Sequence, residues 1–368
     1  MSQTSLRPDE RAGLRLRELY QQYGYLPYRM SKFEPYDLYV GNKSFLVSEN
    51  ILTFTDTDGR LMALKPDVTL SIVKNAHPPA GALEKVCYSE NVYRTTAAGL
   101  GFREIMQTGL ECIGSLDMAA MGEVLALAAE SLSLLGRDYL LDLGHMGLVS
   151  ALLEAVSDEM LRKSLLAELG RKNQPAINQL CAQGGIGQEL AVRLGRLAGL
   201  YGPAPEVLLE LDDLVQESKA RTALEELKAL CGILEHLDLL NHLRLDFSIA
   251  NDMRYYNGVI FRGYLPGLAS GVLAGGRYDN LLRRMGKAGS AIGFAVYLDQ
   301  LDRLEDSNEY DTDILLLYKA EDAPADVVAY AEKLRQSGRS VRMERSEPMG
   351  LRYRELVYFD EGGAAQWK

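Results

Sequence analysis

Three polar positions spaced two apart form the strongest ligand-binding pattern in this sequence. The segment "QTGLE" places Gln107, Gly109 and Glu111 in a stretch whose alternation predicts a β-strand. Side chains two residues apart point to the same face of a strand, so the amide and the carboxylate share a face. We expect the glycine between them to leave room for a ligand.

A second polar pair follows a proline in the segment "ALKPDVTL". Asp67 could bind an ammonium group, with the hydroxyl of Thr69 beside it. The same aspartate could instead serve only as the N-cap of a helix that begins there. The pattern by itself allows both interpretations.

Two further segments carry tyrosines. In "NDMRYYNGVIF", alternation predicts that Tyr255 and Tyr256 point to opposite faces of a strand, so that only one of them lines a given pocket. In "LAGGRYD", a glycine pair precedes Arg277 and Tyr278. The glycines allow either a structural bend or a close approach to a ligand, and they do not form a phosphate-binding loop of the GxxxxGK[ST] type.

Cysteine and histidine spacing predicts neither a disulfide framework nor a metal site. The widely spaced cysteines are expected to be reduced, mostly buried thiols. The histidines are equally scattered, so we expect no structural metal and no cofactor. These residues are Cys87, Cys112, Cys181, Cys231, His77, His145, His236 and His242.

Composition places the 368-residue chain among globular proteins of two or three domains, with 47% hydrophobic and 25% charged residues. A net charge of −11 argues against a nucleic-acid-binding face. We interpret the arginine-containing stretch at 339–354 as a solvated surface. The polar N-terminus lacks the apolar core of a signal peptide and no window suits a membrane span, so a cytoplasmic protein without a membrane partner is expected.

Alternating segments on both sides of a helical stretch predict an α+β fold, an antiparallel sheet that carries an inserted helical subdomain. The Asp58-Gly59 pair predicts a hairpin turn early in the chain. The predicted divisions are residues 1–145, a helical insertion at 146–240, a second part of the core at 241–305, and a small α/β segment at 306–368.

Together these segments resemble the catalytic domain of histidyl-tRNA synthetase, a class II aminoacyl-tRNA synthetase. The likeness spans about residues 9–305 and comprises five local matches in the right order, including "GRLMALKPDVTLSIV" and the motif 2 hairpin "VYRTTAAGLGFREIMQTGLECIG". The resemblance implies the class II antiparallel sheet flanked by helices. It also implies dimerisation through the region around motif 1.

Carried over position by position, the resemblance implies a histidine-binding pocket. The amino-group positions match Asp67 and Thr69 with Gln107 beside them, and the imidazole-facing positions match Glu111, Tyr256 and Tyr278. A carboxylate and tyrosine hydroxyls can serve both ring nitrogens, which favours histidine over an apolar isostere. Asp67 stands where the family has glutamate, and the missing methylene can weaken or shift the ammonium contact.

Three positions that activate the amino acid in the family have changed. The arginine that helps histidine attack ATP is replaced by Asn251, the motif 2 glutamate by Thr96, and the motif 3 arginine by Gln300. The motif 2 arginine is retained as Arg94. Losing one preorganised charge of this kind costs about 10²–10³ in rate, so the resemblance implies that no residue is catalytic.

A pocket retained without its activation residues resembles the synthetase-like regulatory subunits of short-form ATP phosphoribosyltransferase. That likeness implies a partnership with the short catalytic subunit, which joins ATP to phosphoribosyl pyrophosphate in the first step of histidine biosynthesis. It further implies histidine as the feedback effector, no tRNA partner, and a homodimer within a mixed assembly of four copies of each chain.

Two alternatives stay open at this point. The chain could be a divergent amino-acid-activating enzyme in which Arg254 replaces the lost cation, although alternation predicts that Arg254 faces away from Asn251. The pocket could also be vestigial, which would leave a purely structural activator.

Overall fold

A computed structural model of the chain describes residues 7–42, 46, 51–95, 101–136, 138–249, 255–303, 310–360 and 366–367. The chain divides into two compact units, Met1–Leu304 and Glu305–Lys368. This division lies next to the predicted boundary between residues 305 and 306. The predicted divisions within the larger unit stay a prediction.

A nine-stranded sheet forms the frame of the larger unit. Across the sheet its strands are β1 (Leu26–Pro27), β5 (Leu83–Thr95), β6 (Phe102–Gly114), β12 (Ser290–Tyr297), β11 (Leu273–Arg277), β10 (Val259–Tyr264), β7 (Leu140–His145), β9 (Leu243–Asp246) and β8 (Tyr201–Pro203). Neighbouring strands are antiparallel except in the pairs β1–β5 and β7–β9. The predicted α+β class with a mainly antiparallel sheet is confirmed.

A small three-stranded sheet contains the predicted hairpin. It consists of β2 (Phe33–Pro35), β4 (Leu61–Leu64) and β3 (Thr53–Thr55), in that spatial order. The turn between β3 and β4 is fixed by Asp56, whose carboxylate accepts hydrogen bonds from the backbone N–H groups of Asp58 at 2.8 Å and Arg60 at 3.1 Å. Gly59 has a φ of +79°, a conformation that favours glycine.

Helices cover both faces of the β5–β6 hairpin. These helices are α1 (Pro8–Gln22), α3 (Thr69–Asn75), α4 (Met118–Leu135) and α11 (Asp279–Arg284). The short helix α2 (Tyr36–Val40) packs against strands β2 and β4 of the small sheet. Leu110 and Cys112 of β6 point into a core shared with α1 and α4. Ile113, on the opposite face, packs with α3 and α11. Glu111 lies on the same face as Ile113. The apolar cores on the two faces of the sheet therefore fix the position of the strand that carries this candidate site residue.

Against the expectation that no window suits a membrane span, helix α4 is long and apolar enough by length and composition, the one such helix in the described chain. Of the 18 residues of this helix, 61% are buried inside the protein. Leu125, Leu127 and Leu132 are fully buried in the core next to the sheet. Its apolar character is that of a core helix.

A helical block connects β7 to β9, which are neighbours in the large sheet. It contains α5 (Met146–Leu153), α6 (Glu159–Gly170), α7 (Gln174–Gln183), α8 (Gln188–Gly199), α9 (Ala204–Leu214) and α10 (Ser218–His236). Its buried side chains belong to the same apolar core as those of α1 and α4. The short strand β8 from within this block pairs with β9 at the sheet edge.

The second unit is a small α/β structure. Its elements are β13 (Thr312–Leu317), α12 (Pro324–Arg335), β14 (Val341–Glu344), β15 (Tyr353–Tyr358) and β16 (Gln366–Trp367), with the strand order β14-β13-β15-β16. Its arginines make local ion pairs, including Arg339 with Glu355 at 2.7 Å and Arg342 with Glu344 at 2.8 Å. Such pairing fits the solvated surface expected at 339–354.

Candidate functional site

A cavity of about 510 Å³ lies on the sheet face that carries Glu111. All six positions that the sequence predicts to bind the ligand contribute to its wall. They come from the start of α3 and the segment before it, from β6, from the turn before β10 and from the residue that precedes α11. The six are Asp67, Thr69, Gln107, Glu111, Tyr256 and Tyr278.

The carboxyl group of Glu111 lies at the centre of the cavity wall. It accepts hydrogen bonds from the Thr69 hydroxyl at 2.6 Å and from the Tyr278 hydroxyl at 2.5 Å. Only 2% of the residue is exposed. On the paired strand β12, Gly293 leaves the necessary space, because a Cβ there would lie 1.8 Å from Glu111 Oε2.

Burial changes the ionisation of this group. The pKa of Glu111 is raised from 4.5 to about 8, chiefly by desolvation and to a smaller extent by the negative charge of Asp67. The hydrogen bonds from Thr69 and Tyr278 lower it, but the effect of burial is larger. At neutral pH Glu111 is therefore mainly a protonated acid, which can both donate to and accept from a ligand.

Asp67 has two roles at once. One carboxylate oxygen accepts a hydrogen bond from the Leu70 backbone N–H at 2.9 Å and so stabilises the first turn of α3. The side chain also lines the cavity and is 7% exposed. Burial raises the pKa of Asp67, while the Leu70 N–H and the positive charge of Arg94 lower it. The capping and the ligand-facing interpretations are thus compatible.

The side chain of Gln107 has an unsatisfied donor. The residue is 2% exposed, and its Nε2 atom has no hydrogen-bond partner among the described residues. An unpaired buried amide N–H is costly, so it indicates a position where a ligand acceptor belongs. The predicted sharing of one face by Gln107 and Glu111 on β6 is confirmed, since both line the cavity.

The prediction for the tyrosine pair was wrong. Tyr255 and Tyr256 lie in a turn before β10, and both line the cavity, with ring centroids 4.6 Å apart. Alternation could not apply because the backbone is not extended there. The ring of Tyr256 has room because Gly276 has no side chain. A Cβ there would lie only 2.7 Å from the Cδ1 atom of the ring.

The expectation that Gly109 leaves room for a ligand was also wrong. A Cβ on Gly109 would lie 2.6 Å from the hydroxyl oxygen of Tyr88, which itself lines the cavity. Tyr88 is directly opposite Gly109 in the β5–β6 register. The glycine therefore accommodates a tyrosine of the same wall. The glycine pair Gly275–Gly276 lies within strand β11 rather than in a loop or bend, and Gly275 lines the cavity.

The polar cavity residues that sequence reasoning missed include Tyr88, Tyr255, Arg262 and Tyr297. Arg262 could have been found from alternation along β10, which places it on the same face as Ile260. The location of Tyr88 in the cavity depends on the register between β5 and β6, which cannot be derived from the sequence alone. Arg94, the retained arginine, also lines the cavity, and its Nε donates to the Pro66 carbonyl at 3.0 Å.

Of the three changed activation positions, one lies in the described chain. Gln300 accepts a hydrogen bond from the Ser270 hydroxyl at 2.8 Å and donates to the Gly271 carbonyl at 3.4 Å. Its neutral amide is thus engaged with a neighbouring loop. Thr96 and Asn251 lie outside the described residues, as does Arg254.

The cysteines and the metal-binding side chains of the described chain offer no second candidate site. The four cysteines are free and buried, as predicted. Among the described residues, no group of three or more His, Cys, Asp or Glu side chains could hold a metal ion. The polar cavity on the sheet is therefore the candidate site.

The sheet, its flanking helices and this cavity define a protein of the class II aminoacyl-tRNA synthetase type. The family description "Histidyl-tRNA synthetase" matches residues 5–301. An ATP phosphoribosyltransferase regulatory subunit from Clostridium kluyveri is 30% identical over 340 residues, covering 88% of this chain and 85% of that protein. The chain belongs to the histidyl-tRNA synthetase-like family of ATP phosphoribosyltransferase regulatory subunits.

Two solved structures share the fold of this chain. An ATP phosphoribosyltransferase regulatory subunit/histidyl-tRNA synthetase from Bacillus halodurans C has a TM-score of 0.77 and 26% identity, covering 95% of this chain and 93% of that one. A chain of the ATP phosphoribosyl transferase (HisG:HisZ) complex from Thermotoga maritima has a TM-score of 0.62 and 20% identity, covering 79% and 97%. The second likeness concerns the fold alone.

Proposed function

We propose that this chain is the non-catalytic regulatory subunit of a short-form ATP phosphoribosyltransferase and that its cavity binds the inhibitor histidine. The observation that carries the proposal is the polar wall formed by Asp67, Gln107 and Glu111 in a family of regulatory subunits. These groups offer complementary partners for an ammonium group, a carboxylate and an imidazole.

Each part of histidine has a candidate partner. Asp67 and Thr69 receive the ammonium group, since a carboxylate is the natural partner of that charge. The unsatisfied Nε2 of Gln107 donates to the ligand carboxylate, and Arg94 supplies a positive charge nearby. A positive group is needed there because a buried carboxylate without one is costly.

The imidazole fits the other end of the cavity. Glu111 can donate to or accept from a ring nitrogen according to its protonation, and the hydroxyls of Tyr256 and Tyr278 can serve the second nitrogen. Such a site rejects an apolar isostere because its buried polar groups would then stay unpaired. Histidine is therefore preferred over leucine or methionine.

Loss of positive charge supports a non-catalytic role. Nucleotidyl transfer depends mainly on preorganised cations around the phosphate. Asn251 and Gln300 are neutral where the family has arginine, and Gln300 is engaged with Ser270. The chain would then act by binding rather than by chemistry.

The partner is the short catalytic subunit. The Thermotoga maritima relative with this fold comes from a HisG:HisZ complex, and family membership extends the same partnership to this chain. The proposed assembly is a hetero-octamer built on homodimers of this chain, in the cytoplasm and without tRNA. Histidine inhibits it to the extent that it binds the less active arrangement more tightly.

Copurification with the short catalytic subunit and an activity assay with and without histidine test the proposal. Histidine should inhibit the complex, and Glu111→Ala should remove both the inhibition and the calorimetric signal of histidine binding. If Glu111→Ala leaves inhibition intact while the wild-type chain binds no histidine, the effector site lies elsewhere and this chain is a structural activator.

A divergent amino-acid-activating enzyme is the second candidate. It is favoured by two guanidinium groups, those of Arg94 and Arg262, on the cavity wall. Histidine-dependent exchange between ATP and pyrophosphate, catalysed by the purified chain and lost in Arg262→Ala or in a variant of Arg254, would establish that enzyme and refute the regulatory proposal.

A further inference from the structure

A chain of polar contacts leads from the cavity rim to helix α10 of the helical block. The Asn257 amide donates to Asp279 at 3.1 Å, and the Nε atom of Arg277 donates to the same carboxylate at 2.9 Å. Arg277 also donates to Glu226 at 3.3 Å, and the second oxygen of Glu226 lies 3.1 Å from His145 Nε2. Glu226 is the member that lies on α10.

This series of polar contacts begins one residue away from two cavity tyrosines. Asp279 directly follows Tyr278, and Asn257 directly follows Tyr256. The Asn257 backbone N–H donates to the Arg277 carbonyl at 3.0 Å, so the turn is held by main-chain and side-chain contacts together. A displacement of Arg277 would therefore move both tyrosines relative to Glu111.

The chain is partly buried and requires small neighbours. Side-chain exposure is 5% for His145 and 21% for Glu226, so these contacts are poorly screened by solvent. A Cβ on Gly258 would lie 2.8 Å from Arg277 Cδ, and one on Gly147 would lie 3.0 Å from His145 Cε1. Because both glycines lack a side chain, they leave space for the side chains of Arg277 and His145.

The charges in this series of polar contacts favour the position of Glu226 next to Arg277 and His145. The interaction with His145 is the largest cause that lowers the pKa of Glu226, and the positive charge of Arg277 lowers it further, although burial and Asp279 oppose them. Glu226 thus accepts a hydrogen bond from Arg277 and lies within hydrogen-bond distance of the His145 ring. Its carboxylate holds Arg277 from the side of α10, and Asp279 holds it from the side of the cavity.

We infer that Glu226 is a positioning residue that couples ligand affinity in the cavity to the position of helix α10. The inference rests on the proposed function, because it takes the cavity to be the effector site. Coupling between two sites is reciprocal. A ligand that orders Tyr256 and Tyr278 therefore also orders α10, and a partner that displaces α10 changes the affinity for the ligand.

The test compares Glu226→Gln with Glu225→Gln in the full chain. Glu225 is the adjacent residue of α10, is 61% exposed, and contacts Lys228 at 3.2 Å. Calorimetry should show that Glu226→Gln weakens histidine binding about five- to tenfold and that Glu225→Gln leaves it unchanged. Equal affinity in the two variants would overturn the inference.

Amide hydrogen exchange separates coupling from a general loss of structure. In the wild-type protein and in Glu225→Gln, histidine should slow exchange in residues 218–236, and Glu226→Gln should lose that protection while keeping protection near Glu111. Histidine protection of 218–236 that persists in Glu226→Gln would refute the inference.

The ligand-free protein distinguishes failure of this inference from failure of the proposed function. Without histidine, Glu226→Gln should exchange amides of residues 255–259 faster than Glu225→Gln, because the turn has lost its support. If the wild type binds no histidine but this difference is present, Glu226 still positions the cavity turn from α10, and the proposed effector is wrong. If the difference is absent, the coupling is wrong.

Discussion

At the scale of single residues, burial decides how Glu111 behaves at neutral pH. A carboxyl group with a pKa of about 8 is mainly neutral at pH 7, whereas an unperturbed imidazole has a pKa of about 6.5. A neutral acid can donate a hydrogen bond to a neutral imidazole, or the proton can move to the ring and leave an ion pair. The Thr69 and Tyr278 hydroxyls stabilise the second arrangement because they donate to the carboxylate.

The raised pKa of Glu111 predicts a stability that falls with pH. Between pH 4.5 and about 8 the folded protein keeps a proton that the unfolded chain has released. The contribution of Glu111 to the free energy of unfolding is therefore greatest below pH 4.5 and is lost as pH rises to 8, by up to about 1.4 kcal/mol per pH unit.

Urea unfolding across this pH range should show a shallower decline for Glu111→Gln than for the wild type. Exposed Glu210 supplies the control, because Glu210→Gln also removes one carboxyl group. A Glu111→Gln slope equal to that of Glu210→Gln would mean that Glu111 is ionised in the folded protein throughout.

The unsatisfied amide of Gln107 predicts a specific loss of affinity for ligands with a carboxylate. A hydrogen bond to a charged group contributes about 1.5–3 kcal/mol, so Gln107→Ala should weaken histidine binding about tenfold or more. Histamine, which lacks the carboxylate, should bind the wild type and Gln107→Ala alike. Calorimetry with both ligands is the measurement, and an equal loss for histamine would contradict this role.

At the scale of elements, glycines on the central strands decide which side chains can face the cavity. Gly276 of β11 makes room for Tyr256, and Gly293 of β12 makes room for Glu111. Both lie inside regular strands, where glycine weakens the sheet. The glycines therefore reduce the stability of the sheet locally, but they allow bulky polar groups to lie on its surface.

Gly293→Ala should destabilise the protein and abolish histidine binding. The added Cβ would lie 1.8 Å from Glu111 Oε2 and 2.5 Å from the Leu110 carbonyl oxygen, so the carboxyl group must move. Overpacking of this kind costs about 1–3 kcal/mol. Thermal unfolding and calorimetry provide the two measurements.

Gly232→Ala is the matched control, with an effect of opposite sign. Gly232 lies in α10, and a Cβ there would meet nothing within 4 Å. Alanine in a helix interior is more stable than glycine by about 0.5–1 kcal/mol, so this variant should unfold later and bind histidine normally. A Gly293→Ala protein as stable as wild type would show that the β12 strand can relax around the methyl group.

Local patterns identified the elements but not all of their contacts. Alternation in "QTGLE" was enough to place Gln107 and Glu111 on one face, because that relation depends only on the strand repeat. The position of Tyr255 could not be derived, since it depends on a turn that the chain makes before β10. The filling of the space at Gly109 by Tyr88 depends on strand register, which is set by the whole sheet.

At the scale of the whole molecule, the described cavity residues all belong to the unit Met1–Leu304. That unit contains both large apolar cores, whereas Glu305–Lys368 has a small core of its own around Ile314, Leu316 and Val357. The two units can therefore contribute separately to stability and to binding. The match to the family description "Histidyl-tRNA synthetase" ends at residue 301, within the larger unit.

A chain truncated after Leu304 should fold and bind histidine with an affinity within about twofold of the full chain. None of the groups described around Glu111 would be lost, and the apolar cores on both faces of the large sheet would stay complete. Domains with their own core can fold alone. Circular dichroism checks the fold, and calorimetry checks the affinity against the full chain. Glu111→Ala within the truncated chain is the matched control and should abolish the binding signal. A folded truncated chain that no longer binds histidine would show that the C-terminal unit takes part in the effector site, and the regulatory signal would then have to pass through both units.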